Sequence, residues 1–207
     1  MPAVQAVIFD IGNVLLGWQP EAFFDGVIGP DRRRALFAQV DLDAMNERVD
    51  LGEGFRDIIH RTADSHPGWA HEIRLWHDRW IEMLTPVMEP SVAALRALRA
   101  AGVPVFALSN FGGPSFELAK NRYPFLAEFD MHFISAHHRM IKPDPRFYAL
   151  VEQASGLAPE SLLFTDDRPE NIAAAAARGW QTHLFDDPAA WPARLRAEGL
   201  LKAPDRA

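Results

Sequence analysis

Five polar residues stand where apolar runs of the chain end, Asp10 after "AVIF", Ser109 and Asn110 after "VFAL", and Asp166 and Asp167 after "LLFT", and a sixth, Lys142 in "RMIKPDPRFY", stands in the loop after the run "MHFI". Gathered in one place they would supply three carboxylates, a hydroxyl, an amide and an ammonium. Three carboxylates at a shared edge resist simultaneous ionisation and need a counter-charge. An all-oxygen donor set, without cysteine or an ordered histidine pair, suits Mg²⁺, which takes one or two carboxylates together with phosphate and water. Lys142 would balance both the acids and an anionic substrate. Ser109 and the loop amides near Asn110 suit phosphate oxygens. Asp10 is the candidate nucleophile, because a carboxylate can form an acyl phosphate that water later cleaves. Taken singly, each residue has a plainer reading: a strand-end Asp caps a turn, "LSN" is a loop, Lys142 is a surface lysine and "DD" is a turn. Their joint order and strand-end placement carry the chemical reading.

The elements that must position these residues are five short apolar segments, "QAVIFDIG", "VPVFALSN", "MHFISAH", "SLLFTDD" and "THLFDD". They read as buried parallel strands, the last four separated by helix-like stretches. That alternation predicts an α/β fold with a parallel sheet, in which ligands collect at the carboxyl ends of the strands.

The first interval differs. Residues 16–90 carry many helix signals and little β pattern, and read as an inserted helical unit. Helices are predicted near residues 31–40 and 54–63, with a third over "WAHEIRLWHDRWIEML", where Trp69, Ile73, Trp76, Trp80 and Met83 form one stripe and His71 and Asp78 face away. "MNERVDLGEG" reads as a loop between these helices, which makes Glu47 and Arg48, with Trp18, candidates for lining a cleft. Pro86 to Pro90 is the predicted hinge back to the sheet. A helix from an N-cap at Ser91 to Gly102 follows. Asn171, Ala175 and Gly179 are expected on one close-packing helix face.

A chain of 207 residues with 48% hydrophobic content can bury a sizeable core. It has no cysteine, which excludes disulfides and thiolate metal sites and fits a reducing cytoplasm. No leader-like N-terminus and no run of about 18 apolar residues is present, so a cytoplasmic protein without a membrane partner is expected. The net charge of −7, with only short basic runs in "DRRRA" and "ARLRA", argues against a nucleic-acid partner.

Over nearly its whole length the chain resembles the haloacid dehalogenase-like (HAD) hydrolases of subfamily I. "VIFDIGN" is similar to their first motif, "VFALSN" to the second, "IKPDPRFY" to the third and "LLFTDDRPENIAAAAARGW" to the fourth. The spelling is similar to the branch that includes α-D-glucose-1-phosphate phosphatases. The resemblance implies a Rossmann-like core, residues 1–15 and 91–207, with an inserted α-helical cap, residues 16–90. It implies Asp10 as nucleophile, Ser109 and Asn110 as phosphate-holding residues, Lys142 as the charge-neutralising lysine that also binds phosphate, and Asp166 and Asp167 as metal-binding acids. The backbone carbonyl of Gly12 would join Asp10 on the metal.

At Gly12 the sequence departs from the family pattern, because most of its phosphatases carry there a second aspartate that serves as general acid and base. That help is worth about 10² to 10⁴ in rate. Its absence predicts a steep dependence of rate on leaving-group acidity unless another residue supplies the proton; His137 and His138 are the nearest candidates by sequence. The leading expectation is a Mg²⁺-dependent phosphatase of a small phosphorylated metabolite, a sugar phosphate among the candidates. A 2-haloacid dehalogenase with Asp10 attacking carbon is the alternative, compatible with Gly12 but without use for paired acids. A HAD domain weakened in catalysis and acting as a binding module is the third reading.

Overall fold

The computed structural model describes residues 3–202, so the outermost residues of the core segments drawn above lie outside it. Five strands, β1 (Ala6–Phe9), β4 (Val105–Ser109), β5 (Met131–Ile134), β6 (Leu162–Asp166) and β7 (Gln181–Leu184), form one parallel sheet in the order β5-β4-β1-β6-β7. All four residues of β1 are buried because both faces of the sheet are covered. Val7 and Phe9 point into one apolar cluster, and Ala6 and Ile8 into the other. That two-residue period is what a central strand with helices on both sides requires.

Register brings the chemistry to one edge. Phe9 pairs with Ala107 on one side and with Thr165 on the other, so the next residues, Asp10 and Asp166, stand level and Ser109 one step further. From β1 the chain passes to β4 and β5 on one side and then crosses over to β6 and β7 on the other, and this reversal beside β1 opens a crevice at the carboxyl ends of the strands.

Between β1 and β4 the chain forms β2 (Leu16–Trp18), five helices, α1 (Pro20–Ile28), α2 (Pro30–Gln39), α3 (Leu42–Asp50), α4 (Phe55–Ser65) and α5 (Ala70–Asp78), then β3 (Leu84–Val87) and α6 (Glu89–Ala100). β2 and β3 pair antiparallel, Leu16 with Val87 and Trp18 with Leu84. This two-stranded ribbon is the neck of the insert, and three-residue β2 is too short to leave a sequence signal. Gly17 permits the close approach: a Cβ there would stand 2.6 Å from the Thr85 carbonyl oxygen. Inside the insert Trp76 packs edge-on to Trp18 at 5.8 Å and stacks on Phe24 at 6.0 Å. Trp80 reaches the core at Phe111, 5.4 Å away. One apolar cluster therefore runs from Phe9 through Leu95 to Trp76 and Ile59.

The remaining helices are α7 (Gly113–Arg122), α8 (Ser135–His138), α9 (Pro145–Ser155), α10 (Pro169–Ala177) and α11 (Ala190–Ala197). No helix among the described residues is long and apolar enough to cross a membrane.

Four local expectations are corrected. The segment read as a loop, "MNERVD", lies in α3, where Asp41 caps Ala44 N–H at 2.9 Å and Leu42, Met45 and Val49 give a buried stripe. α6 starts at Glu89 and not after Ser91, because Pro90 serves as a first-turn residue rather than a breaker. The tryptophan helix ends at Asp78 and passes through Arg79 into a 3₁₀ turn, Trp80–Met83, while Ile73, Trp76, Trp80 and Met83 stay buried. Gly179 lies past the end of α10 with φ of 92°, so it terminates the helix and does not share its face.

Candidate active site

Asp10 follows β1 and is 7% exposed. Its Oδ1 accepts three hydrogen bonds: from Ile11 N–H at 2.7 Å, from Ser109 Oγ at 2.7 Å and from Lys142 Nζ, which stands 2.9 Å away. Among the described residues none donates to Oδ2, which leaves one oxygen oriented by its partner and available for attack. The tight loop beyond Asp10 closes through Leu15 N–H and Leu16 N–H on the Ile11 carbonyl, and through Asn13 N–H on that of Leu16. Asn13 takes φ of 53°, a left-handed conformation that Asn tolerates better than most residues. Its Oδ1 accepts from Trp18 N–H and its Nδ2 donates to Asp167 Oδ2, both at 2.9 Å. The polar turn thus joins the neck of the insert to the second acid of the pair. Gly12 is not in the left-handed region, and a Cβ built there meets nothing within 4 Å.

The two acids after β6 behave differently. Asp166 is fully buried and heavily engaged: Lys142 Nζ donates to Oδ2 at 2.5 Å, Asn171 Nδ2 reaches both oxygens at 2.9 and 3.0 Å, and Arg168 N–H donates to Oδ1. Asp167 faces the cavity. Carboxylate oxygens of Asp10, Asp166 and Asp167 lie within 4.8 Å of one another.

Asn110 lines the cavity, and its side chain clamps the lysine loop, accepting from Lys142 N–H at 2.7 Å and donating to the Lys142 carbonyl at 3.0 Å. Its role is to fix the backbone from which the ammonium projects.

Burial pushes Asp10 up to about 7, with Lys142 opposing the rise and Asp166 and Asp167 adding to it. For Lys142, burial disfavours the charge, but Asp10 and Asp166 outweigh it and hold the ammonium above the ordinary lysine range. Asp167 is raised by burial against the hydrogen bond from Asn13. These carboxylates are short of positive charge, as three acids facing one lysine must be.

The site opens into a cavity of about 830 Å³ between the sheet edge and the insert. Trp18, Trp76, Trp80, Leu84, Phe111 and Ile141 give it apolar walls, and α3 adds Asp43, Asn46, Glu47 and Asp50. Glu47 and Trp18 therefore stand where the cleft reading put them. Arg48 does not, because it turns to Glu53, Nε to Oε1 at 2.7 Å. Neither His137 nor His138 lines the cavity, and His138 packs its ring beside Phe133 and Phe147. Sequence reasoning missed Asn13 and Asp50, and took Asn171 only as a small-faced packing residue.

A family model described as haloacid dehalogenase-like hydrolase matches residues 4–179. The chain belongs to that family. This HAD-like hydrolase is 28% identical over 184 residues to a sesquiterpene phosphatase, astK, of Aspergillus oryzae, covering 88% of the chain and 90% of that protein. It is also 31% identical over 119 residues to an (S)-2-haloacid dehalogenase of Pseudomonas fluorescens, covering 54% of the chain and 52% of that protein. Another curated relative is spanned over only 34% of its own length. Among solved structures, a HAD family enzyme of Bacteroides thetaiotaomicron in complex with magnesium and inorganic phosphate superposes with a TM-score of 0.68 at 20% identity, covering 89% of this chain and 97% of that one. At that identity the likeness speaks for the fold: the HAD-like hydrolase shares its Rossmann-like core.

Proposed function

We propose that this HAD-like hydrolase is a Mg²⁺-dependent phosphatase of a small phosphorylated metabolite, working through an aspartyl phosphate on Asp10. The observation that carries the reading is the constellation at the sheet edge: Asp10 with Oδ2 free, Lys142 between Asp10 and Asp166, and Asp167 on the cavity side. The donor set fits Mg²⁺, being oxygen only, with three acids and a single neutralising lysine. The ligands we assign are Asp10, Asp167 and the Gly12 carbonyl, to which no described residue donates, with Asp166 in support through Lys142. When bound, the ion supplies positive charge to the carboxylates and draws charge from the phosphoryl oxygens.

The residues divide the remaining work. Asp10 Oδ2 attacks phosphorus in line, a P–O bond to Asp10 forms and the bond to the leaving group breaks. Ser109, the amides of the Asn110 loop and Lys142 stabilise the phosphoryl oxygens. Water then attacks phosphorus, releasing phosphate and the Asp10 carboxylate. Residues 16–90 form the cap and the described residues 3–15 and 91–202 the core; the cap walls exclude bulk water from the acyl phosphate. The apolar walls favour a leaving group with an apolar portion, and the likeness to a sesquiterpene phosphatase adds isoprenyl monophosphates to sugar phosphates as the first substrates to try. A chain without cysteine suits the cytoplasm, and its acidity disfavours nucleic acid.

The dehalogenase reading draws on the (S)-2-haloacid dehalogenase likeness. The acid pair argues for phosphate, since attack on carbon with departure of halide needs neither metal nor a second and third carboxylate. Phosphorylated metabolites and haloacids, each assayed with Mg²⁺ and with chelator, separate the readings. Metal-dependent phosphate release is expected; metal-independent halide release would replace it, and neither product would leave a binding module.

A further inference from the structure

We propose that Asp50, on the cap helix α3, donates the leaving-group proton that Gly12 cannot; the assignment rests on the phosphatase reading. An in-line displacement by Asp10 places the departing oxygen on the far side of phosphorus, away from the sheet edge and toward the insert. α3 closes the cavity on that side, and Asp50 is its last residue.

Elimination among the groups that line the cavity leads to the same residue. Asp10 is the nucleophile, and Lys142 is held between Asp10 and Asp166. Asp167 is bound to Asn13 and assigned to the metal. Arg168 pairs with Glu170, and a guanidinium is no proton donor near neutral pH. Asp43 and Glu47 lie exposed to solvent at the rim of the cavity, where bulk water competes for the departing oxygen. Among the described residues no histidine or tyrosine lines the cavity. Asp50 remains, partly buried. Asn46 Nδ2 donates to its Oδ2 at 3.0 Å and the Gly112 amide faces it, while Glu47 on its own helix, Asp10 just after β1 and Lys142 on the lysine loop supply the charges around it. Burial first, then the two acids, hold this carboxyl at about 7, so a substantial fraction carries a proton at neutral pH.

The position is rigid although it belongs to the cap. Ser135 Oγ donates to the Asp50 carbonyl at 2.6 Å and accepts from Phe111 N–H at 2.8 Å. Gly52, with φ of 92°, brings the chain so close to α8 that a Cβ would stand 2.7 Å from the Ala136 carbonyl oxygen. A Cβ at Gly112 would stand 2.5 Å from Val49 Cγ1. The end of α3 is thereby fastened to the loop after β4.

The proton balance closes over one cycle. As the bond from phosphorus to the leaving oxygen breaks, its electron pair takes the Asp50 proton and leaves an alcohol. In the second half, the Asp50 carboxylate accepts a proton from the water that attacks the acyl phosphate, which restores the acid.

The test measures single-turnover phosphorylation of the Mg²⁺-loaded protein by a series of aryl and alkyl phosphates of rising leaving-group pKa. On the unmodified protein a shallow slope is expected, in place of the steep one that Gly12 alone implies; a steep slope would overturn the assignment whether or not any variant folds. In Asp50→Asn the slope should steepen, with alkyl phosphates losing about 10² to 10⁴ relative to nitrophenyl phosphate. An equal loss across the series would mean a structural role only and would also overturn it. Phosphate release from no ester by the unmodified protein would refute the phosphatase reading, whereas release with a steep slope refutes Asp50 alone.

Discussion

Lys142 Nζ stands 2.9 Å from Asp10 Oδ1, with the lysine side chain 1% and the aspartate side chain 9% exposed. The same ammonium is 2.5 Å from Asp166 Oδ2, so one cation serves two buried carboxylates from neighbouring strands. Replacing it strands both acids. Lys142→Met should cost about 3 to 5 kcal/mol in folding free energy, the usual penalty for breaking a buried pair from one side. Urea unfolding at pH 7 reads it directly. A variant as stable as the parent would mean that the acids are neutral without their lysine.

The engaged state of Asp166 and the open side of Asp167 separate their effects on metal. Asp167→Asn should abolish measurable Mg²⁺ binding in a calorimetric titration. Asp166→Asn should weaken it about 10- to 100-fold, as loss of a supporting partner does. Unchanged binding in Asp167→Asn would remove that residue from the ligand set.

Asp50 makes stability depend on pH in a known direction. Its folded value, about 7, lies above the ordinary aspartate value of 3.8, so the native state holds a proton that the unfolded state releases. This contribution is fully present below pH 4 and is lost as pH rises through 7, at ~1.4 kcal/mol for each pH unit crossed. Asparagine does not titrate. In metal-free protein, Asp50→Asn should therefore gain on the parent between pH 4 and 7, as followed by denaturant unfolding at each pH; parallel curves would mean that the two states bind the proton equally.

Much of this was legible from sequence, for physical reasons that differ by element. The central strands β1, β4 and β6 were readable because a strand buried on both faces is rich in apolar residues, as "AVIF", "VFALS" and "LLFTD" are. Asp10, Ser109, Asn110, Asp166 and Asp167 were readable because they end or follow such a run, and Lys142 because it stands in the loop between the third apolar segment and the helix of "PRFYALVEQAS". α3 was not, since its buried stripe is three residues among the polar set of "LDAMNERVD". The β2–β3 ribbon was not, because pairing across 66 residues leaves no local pattern. The side-chain clamp of Asn110, the hold of Asn171 on Asp166 and the place of Asp50 were not legible for one shared reason. Their roles depend on which distant group the fold sets opposite them, Lys142, Asp166 and the cavity respectively.

The neck of the insert offers its own check. Gly17→Ala would place a methyl group against the Thr85 carbonyl and force the ribbon apart. An overpacking cost of about 1 to 3 kcal/mol is expected. Turnover should fall further than stability alone accounts for, because Trp18 in the same strand lines the cavity. Thermal unfolding and kinetics on one preparation compare the two, and a variant with parental values in both would show that the neck tolerates separation.

The central claim is that Asp10 carries the phosphoryl group, and acid quenching of turnover within its first cycle, followed by mass spectrometry of the peptides, tests it most directly. With Mg²⁺ and a substrate that is turned over, phosphate should be found on the peptide containing Asp10, and it should disappear in Asp10→Asn and in excess chelator. Phosphate on another residue, or undiminished turnover by Asp10→Asn, would contradict the account.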